Sequence, residues 1–216
     1  MKKPFLMNQT IVLDLDDTLI NTNFRQYEVI RSFFDLYNVK ISSFQDYLDF
    51  RISNKASNVN YAEQYFCKKI DLKIYRDYFI ENIEKDRFLD LDTLIVEIDL
   101  LKKLSEEYNL VLLSLRSSCI QGIKQLEKLK LKPFFNDIYF VKHNIINPKI
   151  LILNNLKLQS NILSFVGDTV TDYEAARNCE LPFIVVNTGL FKITEKLETY
   201  ETINNYIKTK LNYDKI

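Results

Sequence analysis

Several residue types are scarce in this chain, and some of these scarcities close off a class of function. There is one histidine, His143. It stands in a loop-like stretch, so a His-based catalytic triad is not expected. Cys67, Cys119 and Cys179 are few, odd in number and scattered. No CxxC pair occurs, so neither a disulfide framework nor a thiolate zinc site is indicated, and a reducing cytoplasm is the expected setting. Charge of one sign is not in surplus: 29 basic residues meet 29 acidic ones. That argues against nucleic acid as a partner, since general polyanion binding draws on excess Lys and Arg. No apolar run approaches the roughly 18 residues of a membrane span. The opening "MKKPFLM" is basic, but the apolar stretch behind it is too short for a secretion signal. Only three Gly and four Pro accompany many Ile, Leu, Asn and Lys, a compositional bias without functional content.

What remains is a globular composition, 47% hydrophobic and 27% charged, in a chain long enough to bury a real core. The length suits one domain, or one core domain with a smaller insertion. "TIVLDL" at 10–15 reads as a short buried strand. From 22 to 88 the texture changes to aromatic-rich helical periodicity, as in "NFRQYEVIRSFFDLY" and "KIYRDYFIENIEK", with a polar loop expected at 51–60. Beyond it the pattern alternates. "DTLIVEIDLLKKLSEEYN" reads as a helix, "LVLLSL" (110–115) as a strand, "SSCIQGIKQLEKLK" as a helix and "DIYFVK" (137–142) as a strand. "NPKILILNNLKL" is expected to be a helix with Asn147 as N-cap and Pro148 at its first position. "NILSFVGD" follows as a strand, then a helix with Thr171 as candidate N-cap, then "LPFIVVNTG" as a strand and a closing amphipathic stretch. Such alternation implies an α/β fold, a Rossmann-like parallel sheet with helices on both faces. The expected division is a core of 1–21 and 89–216 with an all-helical domain at 22–88.

The chemistry concentrates at strand ends, where ligands of open parallel sheets bind. The first strand ends at Asp14 and Asp16, the second at Ser114, the fourth at Gly167 and Asp168. If the first strand lies beside the other two, these groups share one crevice. Carboxylates from different strands, with carbonyls and water, suit a small hard cation such as Mg2+. Asp14 and Asp168 are the natural pair, and Asp172, at a helix start, is placed to support the metal shell. An EF-hand is excluded, because position six of the loop is not glycine and Arg25 stands where it needs Glu.

"DLDDTL", "LVLLSLR" and "FVGDTVTD" occur in the order of the motifs of the haloacid dehalogenase-like (HAD) hydrolase superfamily, which the chain resembles over nearly its whole length. The helical insertion resembles the cap domain of that family, as in its phosphoglycolate phosphatase and beta-phosphoglucomutase-like members. The resemblance implies a Mg2+-dependent phosphatase acting on a small phosphorylated metabolite through an aspartyl-phosphate. Asp14 would be the nucleophile, Asp16 the proton shuttle with its backbone carbonyl facing the metal, and Ser114 a phosphoryl ligand. Asp16 also separates phosphatases from the carbon–halogen-cleaving members, which lack it. Asp17 falls where the family often has Gly. The motif lysine is expected at Lys149, in a reversed Pro148–Lys149 order, with Lys142 as the alternative. Arg116, and the loop residues Arg51, Asn54 and Lys55, are candidate substrate contacts. A phosphomutase is the alternative reading, and a phospho-receiver module a distant third. The protein is expected to be a monomer or weak dimer.

Overall fold

The computed structural model describes residues 9–67, 70–142, 147–190, 193 and 195–212; His143 lies outside them. The chain divides into two compact units, one formed by Met1–Asn21 with Leu94–Ile216, the other by Thr22–Thr93. The second crossing thus falls at 93, later than the expected 88.

The first unit is built on β1 (Gln9–Leu13), β4 (Asn109–Leu115), β5 (Asp137–Val141), β6 (Asn161–Gly167), β7 (Phe183–Val186) and β8 (Glu198–Tyr200). They form one sheet in the order β5-β4-β1-β6-β7-β8, and every adjacent pair is parallel. Two further short strands, β2 (Ile20–Asn21) and β3 (Thr93–Leu94), pair separately. In β1 and β4 nearly every residue is buried, as expected of strands covered on both faces. Side chains alternate across such a sheet. Ile11, Leu13, Leu110 and Leu112 therefore pack with α6 (Ile98–Glu107), α7 (Cys119–Lys128) and α10 (Ile203–Lys210) on one face. Val12, Val111, Leu113 and Phe165 pack with α8 (Lys149–Gln159) and α9 (Val170–Asn178) on the other. Each fully buried Leu, Ile or Val of these two layers contributes roughly 1.5–3 kcal/mol.

Some local expectations are corrected. The helix expected from Asp92 begins only at Ile98, because the Leu19 carbonyl accepts from the backbone N–H groups of both Ile95 and Val96 (2.9 and 3.1 Å). Those bonds hold the preceding residues extended. β8, which ends the sheet, was hidden in the terminal amphipathic stretch; it is three residues long and mostly exposed. In α9 the N-cap is Thr169, not Thr171: its hydroxyl accepts from Asp172 N–H, and the Asp172 carboxylate reaches back to Thr169 N–H. In α8 the helix starts at Lys149 with Pro148 in the cap position, and Asn147 lies before it at φ 41°.

The second unit is helical: α1 (Asn23–Asp35), α2 (Phe44–Asn54), α3 (Asn58–Glu63), α4 (Leu72–Asn82) and α5 (Asp86–Leu89). Its core is aromatic, with Tyr27, Phe33, Phe34, Tyr47, Tyr61 and Tyr75 buried together. The polar loop expected at 51–60 is largely helix. Reciprocal capping boxes, Ser43 with Asp46 and Ser57 with Asn60, start α2 and α3 and leave only a short link between them. Arg51 is consequently buried. It donates to Ala56 O, Gln26 Oε1 and Tyr47 Oη. Asn54 bonds Phe50 O, and Lys55 closes α2 at φ 48°.

Candidate active site

Strand order decides which side chains meet. β1 lies between β4 and β6, with Leu13 level with Leu112 on one side and Val166 on the other. Asp14 follows β1, Asp168 follows β6 and Ser114 is next to last in β4, so the three stand at the same end of adjacent strands. Asp14 N–H donates to Val166 O at 2.9 Å, which holds the first residue beyond β1 in line with β6. All three side chains are buried.

The segment after Asp14 folds into a tight turn. The Leu15 carbonyl accepts from Leu19 and Ile20 N–H, and Asp17 N–H donates to Ile20 O. The turn puts Asp17 at φ 55°. That is the left-handed region, which glycine occupies without cost and Asp tolerates better than most residues. The turn also directs Thr18 inward, where its hydroxyl donates to Asp168 Oδ1 at 3.2 Å. Thr188, beyond β7, donates its hydroxyl to Asp17 O.

Lys149 enters from the start of α8. Its ammonium donates to Asp14 Oδ1 at 2.6 Å and to Asp172 Oδ1 at 2.5 Å, and it lies over the Phe165 ring. Asp172 is fixed in turn by its capping box, with Thr169 Oγ1 donating to Oδ2. Asp14, Asp168 and Asp172 each offer a carboxylate oxygen within 4.8 Å of the others. The electrostatics follow from burial. Desolvation pushes Asp14 up to about 7, with Asp172 and Asp16 adding to the rise and Lys149 opposing it. Asp168 is raised well above the ordinary carboxylate range, first by burial, then by Asp14 and Asp172. Burial pulls the Lys149 ammonium down, but Asp14 and Asp172 outweigh it, and the net shift is upward.

Asp16 turns elsewhere. Its carboxylate receives both terminal nitrogens of Arg116, at 2.7 and 2.5 Å, and Arg116 also donates to Gln125 Oε1 at 3.0 Å. With every carboxylate ionised, Asp14, Asp16, Asp168 and Asp172 against Lys149 and Arg116 would leave an excess of two negative charges (four minus two). Buried carboxylates forced upward in this way are what a divalent cation relieves, and an all-oxygen donor set suits Mg2+ rather than a softer metal. The residues present fit the cation that the sequence suggests.

Of the residues singled out in the sequence, Asp14, Asp168, Asp172 and Lys149 are brought together, with Ser114 at the same strand edge. Lys142 is exposed at the end of β5, and none of the hydrogen bonds to Asp14 described above comes from it. Arg51, Asn54 and Lys55 belong to the helical unit and engage the groups named above. Other contributors had gone unassigned. Thr169 was legible as a Thr-x-x-Asp capping box. Two of only three glycines pack on site carboxylates: a Cβ at Gly167 would fall 2.8 Å from Asp172 Oδ2, and one at Gly189 would overlap Asp168 Oδ2. Gln125 carried no sequence signal, since helical spacing alone does not say which polar residue turns inward.

Residues 11–186 match the family model described as haloacid dehalogenase-like hydrolase. No curated protein matches the chain. Solved structures share the fold at low identity. The HAD-hydrolase YfnB from Bacillus subtilis, solved with magnesium bound, has TM-score 0.68 and 16% identity, over 95% of this chain and 99% of that one. A predicted phosphoglycolate phosphatase from Haemophilus somnus has TM-score 0.70 and 16% identity, over 94% and 98%. A candidate beta-phosphoglucomutase from Thermotoga maritima has TM-score 0.67 and 17% identity, over 95% and 99%. With the family model spanning the strands from β1 to β7, and with them the aspartates that follow β1 and β6, this chain belongs to the haloacid dehalogenase-like hydrolase family.

Proposed function

We propose that this chain is a Mg2+-dependent phosphatase that hydrolyses a small phosphorylated metabolite through an aspartyl-phosphate on Asp14. One observation carries the reading: the buried Asp14 carboxylate, gripped by Lys149 at 2.6 Å, sits at the sheet edge beside Asp168 and Asp172. A carboxylate in that position is a nucleophile with its counter-charges already in place. Asp14 and Asp168, with the Asp16 backbone carbonyl, would hold the cation, and Asp172 would support it from behind through Lys149. When bound, Mg2+ would supply charge stabilisation to phosphoryl oxygens.

The steps for this chain's residues follow. An Asp14 oxygen attacks phosphorus and the bond to the leaving oxygen breaks. Asp16, protonated, gives that oxygen its proton. Water then attacks the aspartyl-phosphate, Asp16 takes the proton from the water, and the Asp14–phosphorus bond breaks to release phosphate. Lys149 and the Ser114 hydroxyl neutralise and orient the phosphoryl oxygens. No helix among the described residues is long and apolar enough to cross a membrane. We place the enzyme in the cytoplasm as a monomer or weak dimer, acting on a small molecule rather than a nucleic acid.

The test is phosphate release from a panel of phosphorylated metabolites, with and without Mg2+, followed by product analysis. Free phosphate that depends on Mg2+ supports the reading. Phosphate moved to another position of a sugar would make the enzyme a mutase. Turnover undiminished by excess chelator would overturn the metal dependence.

A further inference from the structure

We propose that Arg116 is a positioning residue for Asp16: a buried guanidinium fork, backed by Gln125, that sets the direction of the carboxylate through which protons pass. The inference rests on the reading of Asp14 and Asp16 given above.

The geometry distinguishes this role from substrate binding. Arg116 follows β4 and is tied to the sheet, its backbone N–H donating to Val141 O at 2.9 Å. Its side chain is only 3% exposed, whereas that of Asp16 is 31% exposed. Both terminal nitrogens end on Asp16, one on each oxygen, and one of them also reaches the buried Gln125 of α7. A phosphate oxygen approaching from solvent would have to displace Asp16 to reach the fork. The partly open side chain is the carboxylate, held from behind and facing outward. A bidentate Arg–carboxylate pair fixes the plane of the carboxylate as well as its distance. The fork takes one acceptor position on each oxygen of the carboxylate, so it fixes both oxygens at once. Lysine, a single point of charge, fixes a position but not a plane.

Proton transfer depends on direction, and a displacement of about 1 Å can cost on the order of 10²-fold in rate. Loss of the fork should therefore slow the steps that use Asp16 and spare those that do not. The experiment is a double-mutant cycle on Arg116→Ala and Asp16→Asn, with p-nitrophenyl phosphate and glycerol phosphate as substrates in the presence of Mg2+. Wild-type protein comes first. Absence of both turnover and covalent labelling in the wild type would sink the phosphatase reading itself, and the proposal with it. With an active wild type, Arg116→Ala is expected to lower kcat about 10²-fold for glycerol phosphate, whose leaving group needs a proton. KM should stay within about threefold. With p-nitrophenyl phosphate a burst of nitrophenolate should persist ahead of slow turnover. In the Asp16→Asn background the same change should cost less than about twofold, because Arg116 acts through Asp16. A rise in KM at unchanged kcat would make Arg116 a substrate ligand and overturn the proposal. A full, independent loss in the Asp16→Asn background would also overturn it. If Arg116→Ala does not fold, Arg116→Lys and Gln125→Ala enter the same cycle, and a KM effect or independence from Asp16 in either one overturns it equally.

Discussion

The ammonium of Lys149 lies 2.6 Å from Asp14 Oδ1, joining the first residue of α8 to the residue that follows β1. The pair is buried on both sides, and Lys149 is shared with Asp172 at 2.5 Å. Removing one partner of such a pair leaves charge without compensation, which typically costs about 3–5 kcal/mol. Lys149→Met should therefore lower metal-free stability by an amount of that order and abolish turnover. Added Mg2+ should restore part of the stability, because it replaces the missing positive charge. Lys142→Ala, at an exposed position, should leave both unchanged. Thermal unfolding with and without Mg2+, beside steady-state rates, checks all of these outcomes.

Gly189 packs against Asp168 so closely that an added Cβ would overlap the carboxylate. Gly189→Ala should push Asp168 out of line while the sheet stays folded. The expected result is a metal affinity weakened by roughly 10–100-fold, the range usual for disturbed support of a metal ligand. Titration with Mg2+, followed by calorimetry or by recovery of activity, reads it. An unchanged midpoint would mean that the loop after β7 yields to the methyl group.

Asp14 rises to about 7 and Asp168 moves in the same direction, both mainly through burial. A group whose folded pKa is raised favours the folded state at low pH and loses that contribution as pH climbs through the folded value. In metal-free protein the contribution of Asp14 should thus fall away between about pH 4 and pH 7. Mg2+ requires ionised ligands, so its affinity should rise over the same interval. Unfolding midpoints of wild type and Asp14→Asn across this range isolate the contribution of Asp14. The difference should depend on pH without Mg2+ and flatten in its presence.

Asp14 and Asp16 stand two positions apart but serve different neighbours, Lys149 and Arg116. Asp14→Asn should remove turnover and any phosphoenzyme together. On the proposed roles, Asp16→Asn would keep the nucleophile and lose the proton shuttle, a contribution of roughly 10²- to 10⁴-fold. With p-nitrophenyl phosphate it should still phosphorylate Asp14 and then stall. Acid-quenched protein analysed by mass spectrometry should carry the label on Asp14. Label on Ser114 would reverse the assignment.

How much of this was readable in the residues alone differs from element to element. The buried strands of the core announced themselves by apolar runs bounded by polar residues, and α1 and α4 by apolar spacing, because burial on a face imposes a period. The site aspartates were legible because carboxylates directly after an apolar strand are costly without a purpose. The sequence by itself thus determined the α/β class and the residue types at the strand ends. Their meeting depended on β1 lying between β4 and β6, which is a matter of long-range pairing with no local signal. Lys149 reaches Asp14 the same way: Lys149 and Lys142 are near each other in the chain, but it is the helix packed on β4 and β6 that carries its lysine to Asp14. Arg51 shows the converse. Its polar neighbours suggested an open loop, yet two capping boxes wound the segment into helices, and the hydrogen bonds that Arg51 donates to Gln26, Tyr47 and Ala56 made its burial tolerable. Arg116 became a partner of Asp16 only because β4 ends beside the turn after β1, where a buried fork and a half-open carboxylate complete each other's charge. Local composition sets the period and charge of each element; only close packing decides which charges must answer one another.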